Sequence, residues 1–184
     1  MAGPKALWFT NDEDAATLLA QDPFALLIGF AIDQQVPVPT AFMGPLRLKQ
    51  RVGTLDPKKL AKLDLQPAFR EKPAIHRFPG TMAQRVQELA QYVVDEYGGE
   101  ASRIWTDAAD GDDLKRRIEA LPGYGEMKVK SLSAVLAKHF GVRQAAAIAP
   151  SHPTLGDVDS LEKLNEYQSW KREYKESARA RATT

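Results

Sequence analysis

An all-α protein is predicted by three observations. Nearly every long segment repeats its apolar residues at the helical period, none sustains the alternation of a strand, and cap or breaker residues punctuate the chain at helix-sized intervals. Asn11 or Thr10 is expected to cap a first helix over residues 12–20, with acids in its first turn. Asp22-Pro23, a cap followed by proline at the first helical position, opens a second helix over residues 24–33. That helix is apolar nearly all round, which predicts a central place. Pro37 and Pro39 interrupt, residues 40–51 resume a helix, and Asp56-Pro57 begins a short one reaching Leu63. The prolines within residues 65–81 predict a loop. Residues 81–97 form an amphipathic helix with Val86, Leu89, Ala90, Val93 and Val94 inward, ended by Gly98-Gly99. A short turn at 102–106 precedes a helix over 112–121, whose stripe is Leu114, Ile118 and Leu121. The next helix carries Leu132, Val135, Leu136 and Phe140. A proline-bearing stretch, residues 142–153, leads to Asp159-Ser160, expected to cap a basic C-terminal helix over residues 159–181.

The most informative segment is Leu121-Pro-Gly-Tyr-Gly-Glu-Met-Lys-Val-Lys-Ser131, which joins two of these helices. Pro122 stops the first helix, and Gly123 and Gly125 can take positive φ or admit another chain's backbone. The second helix then begins with free amides beside residues too small to obstruct an oxygen, which suits an anion, with Lys128 and Lys130 adding positive charge. An αα-corner with no ligand uses the same residue types. Against it, no acid lies between Glu126 and Asp157.

Composition narrows the chemistry. With no cysteine among 184 residues, disulfides, thiolate zinc sites and cysteine nucleophiles are excluded. No two of the three histidines stand at ligand spacing, so no metal site and no cofactor is expected. The net charge of +1 conceals an uneven distribution. Residues 43–72 hold eight Lys or Arg against three acids, whereas residues 1–35 hold one base and five acids. One basic face on a nearly neutral protein suits a polyanion, and a solvated helix surface accounts for it equally. Neither a membrane-length apolar run nor a signal-peptide core is present, so a soluble, cytoplasmic protein without membrane contact is expected.

The order of these pieces over about residues 20–150 resembles the helix-hairpin-helix DNA glycosylase superfamily, which includes endonuclease III, the adenine-mismatch glycosylases and the 3-methyladenine glycosylases. Three segments carry the resemblance: Phe24-Ala-Leu-Leu-Ile-Gly-Phe-Ala-Ile-Asp-Gln-Gln35, Phe78-Pro-Gly-Thr-Met-Ala-Gln-Arg-Val-Gln-Glu-Leu89, and Leu121-Pro-Gly-Tyr-Gly125. It implies a single two-lobed helical unit, acting as a monomer, with a cleft that takes a base extruded from duplex DNA. It also implies that Gln35 fills the gap left by that base, that Phe78 wedges beside the orphaned partner, and that Gly123, Tyr124, Gly125, Lys128 and Lys130 grip the backbone. Gln35 is equally read as a helix-terminal amide, and Phe78 as an anchor beneath the proline loop.

Two departures from the family pattern bear on catalysis. The family's Schiff-base lysine, two residues past the second hairpin glycine, is replaced here by Met127. Lys128 is one residue further, about 100° around a helix, and is expected to contact phosphate or solvent instead. The family's catalytic aspartate would fall near Ala147, where no carboxylate stands, leaving Asp157 and Asp33 as the catalytic candidates. Cleavage of an N-glycosidic bond builds positive charge on the sugar, and a nearby carboxylate stabilises it. A cationic alkylated base leaves more readily, and Trp8, Trp105, Tyr124 or Phe69 are candidates to stack on it, with His76 near a phosphate or the flipped base. The expected function is monofunctional excision of a damaged base without lyase activity. The alternatives are a non-catalytic lesion binder of the same fold and a hairpin used only for protein contacts.

Overall fold

The computed structural model describes residues 2–183, and among them there are helices and no strand. Eleven α-helices occur in order: α1 (Glu13–Gln21), α2 (Pro23–Ile32), α3 (Val38–Val52), α4 (Pro57–Leu60), α5 (Gln66–Arg70), α6 (Pro79–Tyr97), α7 (Arg103–Thr106), α8 (Gly111–Glu119), α9 (Glu126–Phe140), α10 (Arg143–Ala146) and α11 (Leu161–Ala182). A 3-10 turn, Leu155–Asp157, precedes α11.

The packing centres on α2, in which every residue from Phe24 to Ile32 is buried. An all-apolar helix has no face to give to water, so neighbours must cover it on every side. Helices α1, α3 and α6 do so, and α6 in turn carries α4 and α5. A second group forms around α9, which packs against α8, α10 and the 3-10 turn. One apolar core runs through both groups, from Leu7 to Leu164. No single helix among the described residues is long and apolar enough to cross a membrane.

Several boundaries differ from the sequence reading, each for a local reason. Asp12, not Asn11 or Thr10, caps α1, because its Oδ1 reaches the amide of Ala15 at 2.8 Å. Helix α3 starts at Val38, since Pro39 falls in the first turn, where a missing N–H costs nothing. It continues through Pro45, which removes one rung of its ladder. The expected loop over residues 65–81 contains α5, opened by Pro67. Arg51 anchors the C-terminal end of α5 and the residues just beyond it: its guanidinium donates to the carbonyls of Ala68, Glu71 and Pro73 at 2.8, 2.9 and 2.7 Å. Helix α4 is a single turn ending at Leu60 rather than Leu63, and α10 occupies part of the stretch read as irregular. Ser160, not Asp159, caps α11, with its Oγ accepting from the amide of Lys163, and the helix ends at Ala182, one residue past the expected end.

The α2–α3 crossing depends on a glycine. A Cβ on Gly29 would stand 2.5 Å from Cδ1 of Phe42. That ring cannot retreat, because it is fully buried and edge-on to both Phe9 and Phe30 at 5.1 Å. Gly29→Ala is therefore expected to destabilise the fold by about 1–3 kcal/mol through overpacking. Urea unfolding measures this, and an unshifted midpoint would contradict the close crossing.

Candidate functional site

The site is built on the C-terminal end of α2, where the final carbonyls of the helix lack helical donors and concentrate negative potential. Two cations from distant parts of the chain meet there. Lys128 Nζ donates to the carbonyl of Ala31 at 2.9 Å, and Arg85 Nη1 lies 3.4 Å from the same oxygen. Arg85 also donates to Gln34 Oε1 at 2.6 Å. The chain then turns through Gln35, the single positive-φ residue other than glycine among those described, at φ 58°. His76 fixes this turn from below: its Nε2 is 3.0 Å from the carbonyl of Gln34, while Nδ1 accepts from the amide of Phe78 at 3.0 Å. That arrangement selects the neutral ring with the proton on Nε2. Burial pushes the His76 pKa below its usual value, although the bond to Gln34 opposes the shift. His76, expected near a phosphate or a flipped base, is a 2 % exposed structural link instead.

The turn between α8 and α9 is fastened to the same helix end. Gly123 has φ 82°, and a Cβ there would meet Cδ of Arg85 at 2.6 Å, so both conformation and space require glycine. Gly125 is different: it is extended, and a Cβ would have nothing within 4 Å. Among the described residues, the amides of Gly125, Glu126 and Met127 have no acceptor, and no side chain caps α9. Free donors at the start of a helix, next to a residue with no side chain to obstruct them, are an arrangement able to hold an anion.

Three residues expected to contact a DNA backbone have partners within the protein. Tyr124 points inward, 8 % exposed, and its hydroxyl donates to the carbonyl of Leu27 at 2.7 Å. Lys128 does not reach outward, because the apolar face of α9 carries its stem toward α2, where its Nζ also bonds the carbonyl of Gly123 at 3.0 Å. Lys130 is half-exposed and paired with Glu126 at 2.9 Å. Of the aromatic candidates, Phe69 and Trp105 are buried in the core and offer no face to a ligand.

The two acidic candidates have different surroundings. Asp33 stands just past α2, near enough to lysines of α11 and α9 to feel their charge. Burial raises its pKa, against the opposing pull of Lys171, Lys128, Lys175 and His76. Lys128 is lowered to about 8, by burial first and Arg85 second, while Asp33 works the other way. Asp157 belongs to a structural cap: Oδ2 accepts from the amide of Thr154 at 2.9 Å and Oδ1 is paired with Lys138. Burial raises its pKa, but these partners outweigh it and leave the group below the ordinary range. Tyr167 of α11 lies within the field of both acids, and burial with that charge pushes it up to about 12.

Phe78, read as either a wedge or a buried anchor, is 41 % exposed at the start of α6, with the Arg77 guanidinium 4.9 Å above its ring. Sequence reasoning passed over Arg85 and Gln34, which join the hairpin to the Gln35 turn. Neither has a signal in periodicity or in the hairpin motif. No family model, curated protein or solved structure matches this chain.

The coupling of Asp33 to Lys128 is measurable. Because the carboxylate raises the amine's pKa, Asp33→Asn should lower it further below about 8. Carbon-13 spectra of reductively methylated lysines would read the change, and an unchanged or higher midpoint would contradict the proximity of the two groups.

Proposed function

We propose that this chain is a DNA-lesion-recognising protein with the two-lobed helix-hairpin-helix glycosylase fold, excising a damaged base from duplex DNA as a monofunctional enzyme. The observation that carries the reading is the α8–α9 turn, whose unpartnered amides border open space at Gly125 while Arg85 ties the turn to the Gln34-Gln35 segment. A phosphate grip and a gap-filling amide thereby share one rigid support.

Extrusion of a nucleotide costs a few kcal/mol in lost stacking and pairing. The exposed Phe78 and the strained Gln35 turn would offset it by occupying the vacated space, and the α9 amides would hold the backbone. Asp33 is the favoured carboxyl for stabilising charge on the sugar, since Asp157 is already committed to Thr154 and Lys138. Its raised pKa suits a demand for modest carboxylate assistance, as with a cationic alkylated base that departs readily. Lyase chemistry is not proposed: Met127, at the family's lysine position, is 66 % exposed and carries no nucleophile.

A second reading, the non-catalytic lesion binder, is favoured by that methionine together with the capped state of Asp157. Single-turnover base release, with protein in excess over duplexes carrying methylated purines, uracil, oxidised purines or oxidised pyrimidines, separates the two. The expected result is strand scission only after alkali on one lesion class, lost in Asp33→Asn. Release from none of them by folded protein that still binds the duplexes would establish the second reading. Gly125→Val should weaken duplex binding at least tenfold without unfolding, because its Cβ enters only the open space. Unchanged affinity would contradict the phosphate grip.

A further inference from the structure

The second half of α11 leaves the body of the protein and forms one wall of an open groove of about 630 Å³. The opposite wall is the Gln35 turn and the start of α3, with Arg77 beside them. Five of the lining residues are cations, Arg77, Lys171, Arg172, Lys175 and Arg179, and no carboxylate lines it.

The charge on α11 is sorted. Lys171, Lys175 and Arg179 recur at four-residue steps, which places them on one face, and Arg172 stands at its edge, three residues before Lys175. Glu162, Glu166 and Glu173 line a separate groove on another face of the helix. Like charges four apart, as Lys171, Lys175 and Arg179 are, weaken an isolated helix. Among the described residues none of the five groove cations is in a salt bridge. Asp33 lies close enough for Lys171 and Lys175 to act on its pKa, yet it does not line the groove. Within the groove itself positive charge is therefore in surplus.

We infer that this groove is a second DNA-backbone site, in which α11 clamps the phosphates of one strand next to the lesion. From Lys171 to Arg179 the row spans roughly 12 Å of helix, close to the axial rise of three or four nucleotides of one strand. Gln35 lies on its rim, and Arg77 connects it to the exposed ring of Phe78, so a strand lying there passes the residues assigned to the gap. The inference rests on the proposed function and adds to it a contact outside the hairpin.

Salt dependence of duplex binding by the full-length protein tests it. Each phosphate contact removed should reduce the slope of log K against log salt by about 0.9. The combined Lys171→Gln, Lys175→Gln, Arg179→Gln variant should lose about 2.7 in slope by the same rule, with affinity at least tenfold weaker at low salt. Because Lys171 and Lys175 also act on Asp33, Arg172→Gln with Arg179→Gln provides a reading at exposed positions that leaves both lysines in place, with an expected loss of about 1.8. Glu166→Gln with Glu173→Gln should leave the slope unchanged. Slopes equal to that of the unaltered protein in both cation variants would overturn the clamp alone. No salt-dependent affinity of the unaltered protein for any duplex would overturn the DNA reading beneath it as well.

Discussion

The arrangement depends on cations gathered at the end of one buried helix. Helix α2 has no polar face, so its orphan carbonyls end inside the protein rather than in water, and leaving them unpaired would be costly. Lys128 and Arg85 supply the donors from α9 and α6. Each comes from a different part of the chain, and each brings its surroundings along: Lys128 the α8–α9 turn, Arg85 the Gln34 side chain and the contact at Gly123. The hairpin, the Gln35 turn and the start of α6 are held in one place by the same few hydrogen bonds.

That convergence also sets the chemistry of the site. Partial burial favours loss of a proton from the lysine, and the nearby Arg85 adds to this, so its pKa falls to about 8. Burial acts on Asp33 in the opposite sense and raises its pKa. The two shifts draw the titration ranges of an acid and a base toward each other while their mutual attraction limits both. A lysine engaged with two carbonyls is a positioning group for the hairpin, and the outward donors are left to the α9 amides.

Much of the fold was legible because it obeys local rules. The uninterrupted apolar run of α2 announced a central helix, Asp22-Pro23 announced its start, and Gly98 announced the end of α6 in a left-handed conformation. What was illegible involved reach across space. Helical period places Lys128 on one side of α9 but does not reveal that a carbonyl of Ala31 waits opposite, so an inward tether was read as a surface charge. Arg85 had no local mark. The two hairpin glycines looked alike in sequence, although one needs positive φ and clearance from Arg85 while the other only borders empty space. Asp157 gave no sign that Thr154 would recruit it to a capping box.

The central claim is that the turn fastened to α2 presents its free amides to a DNA phosphate. Amide spectra of nitrogen-15-labelled protein, recorded while duplex containing an abasic-site analogue is added, test this most directly. The signals of Gly125, Glu126 and Met127 are expected to move together with increasing duplex and to return when salt is raised, whereas Gly53, whose amide is already bonded to the carbonyl of Lys49, stays in place. Binding that leaves those three amides unmoved would contradict the claim.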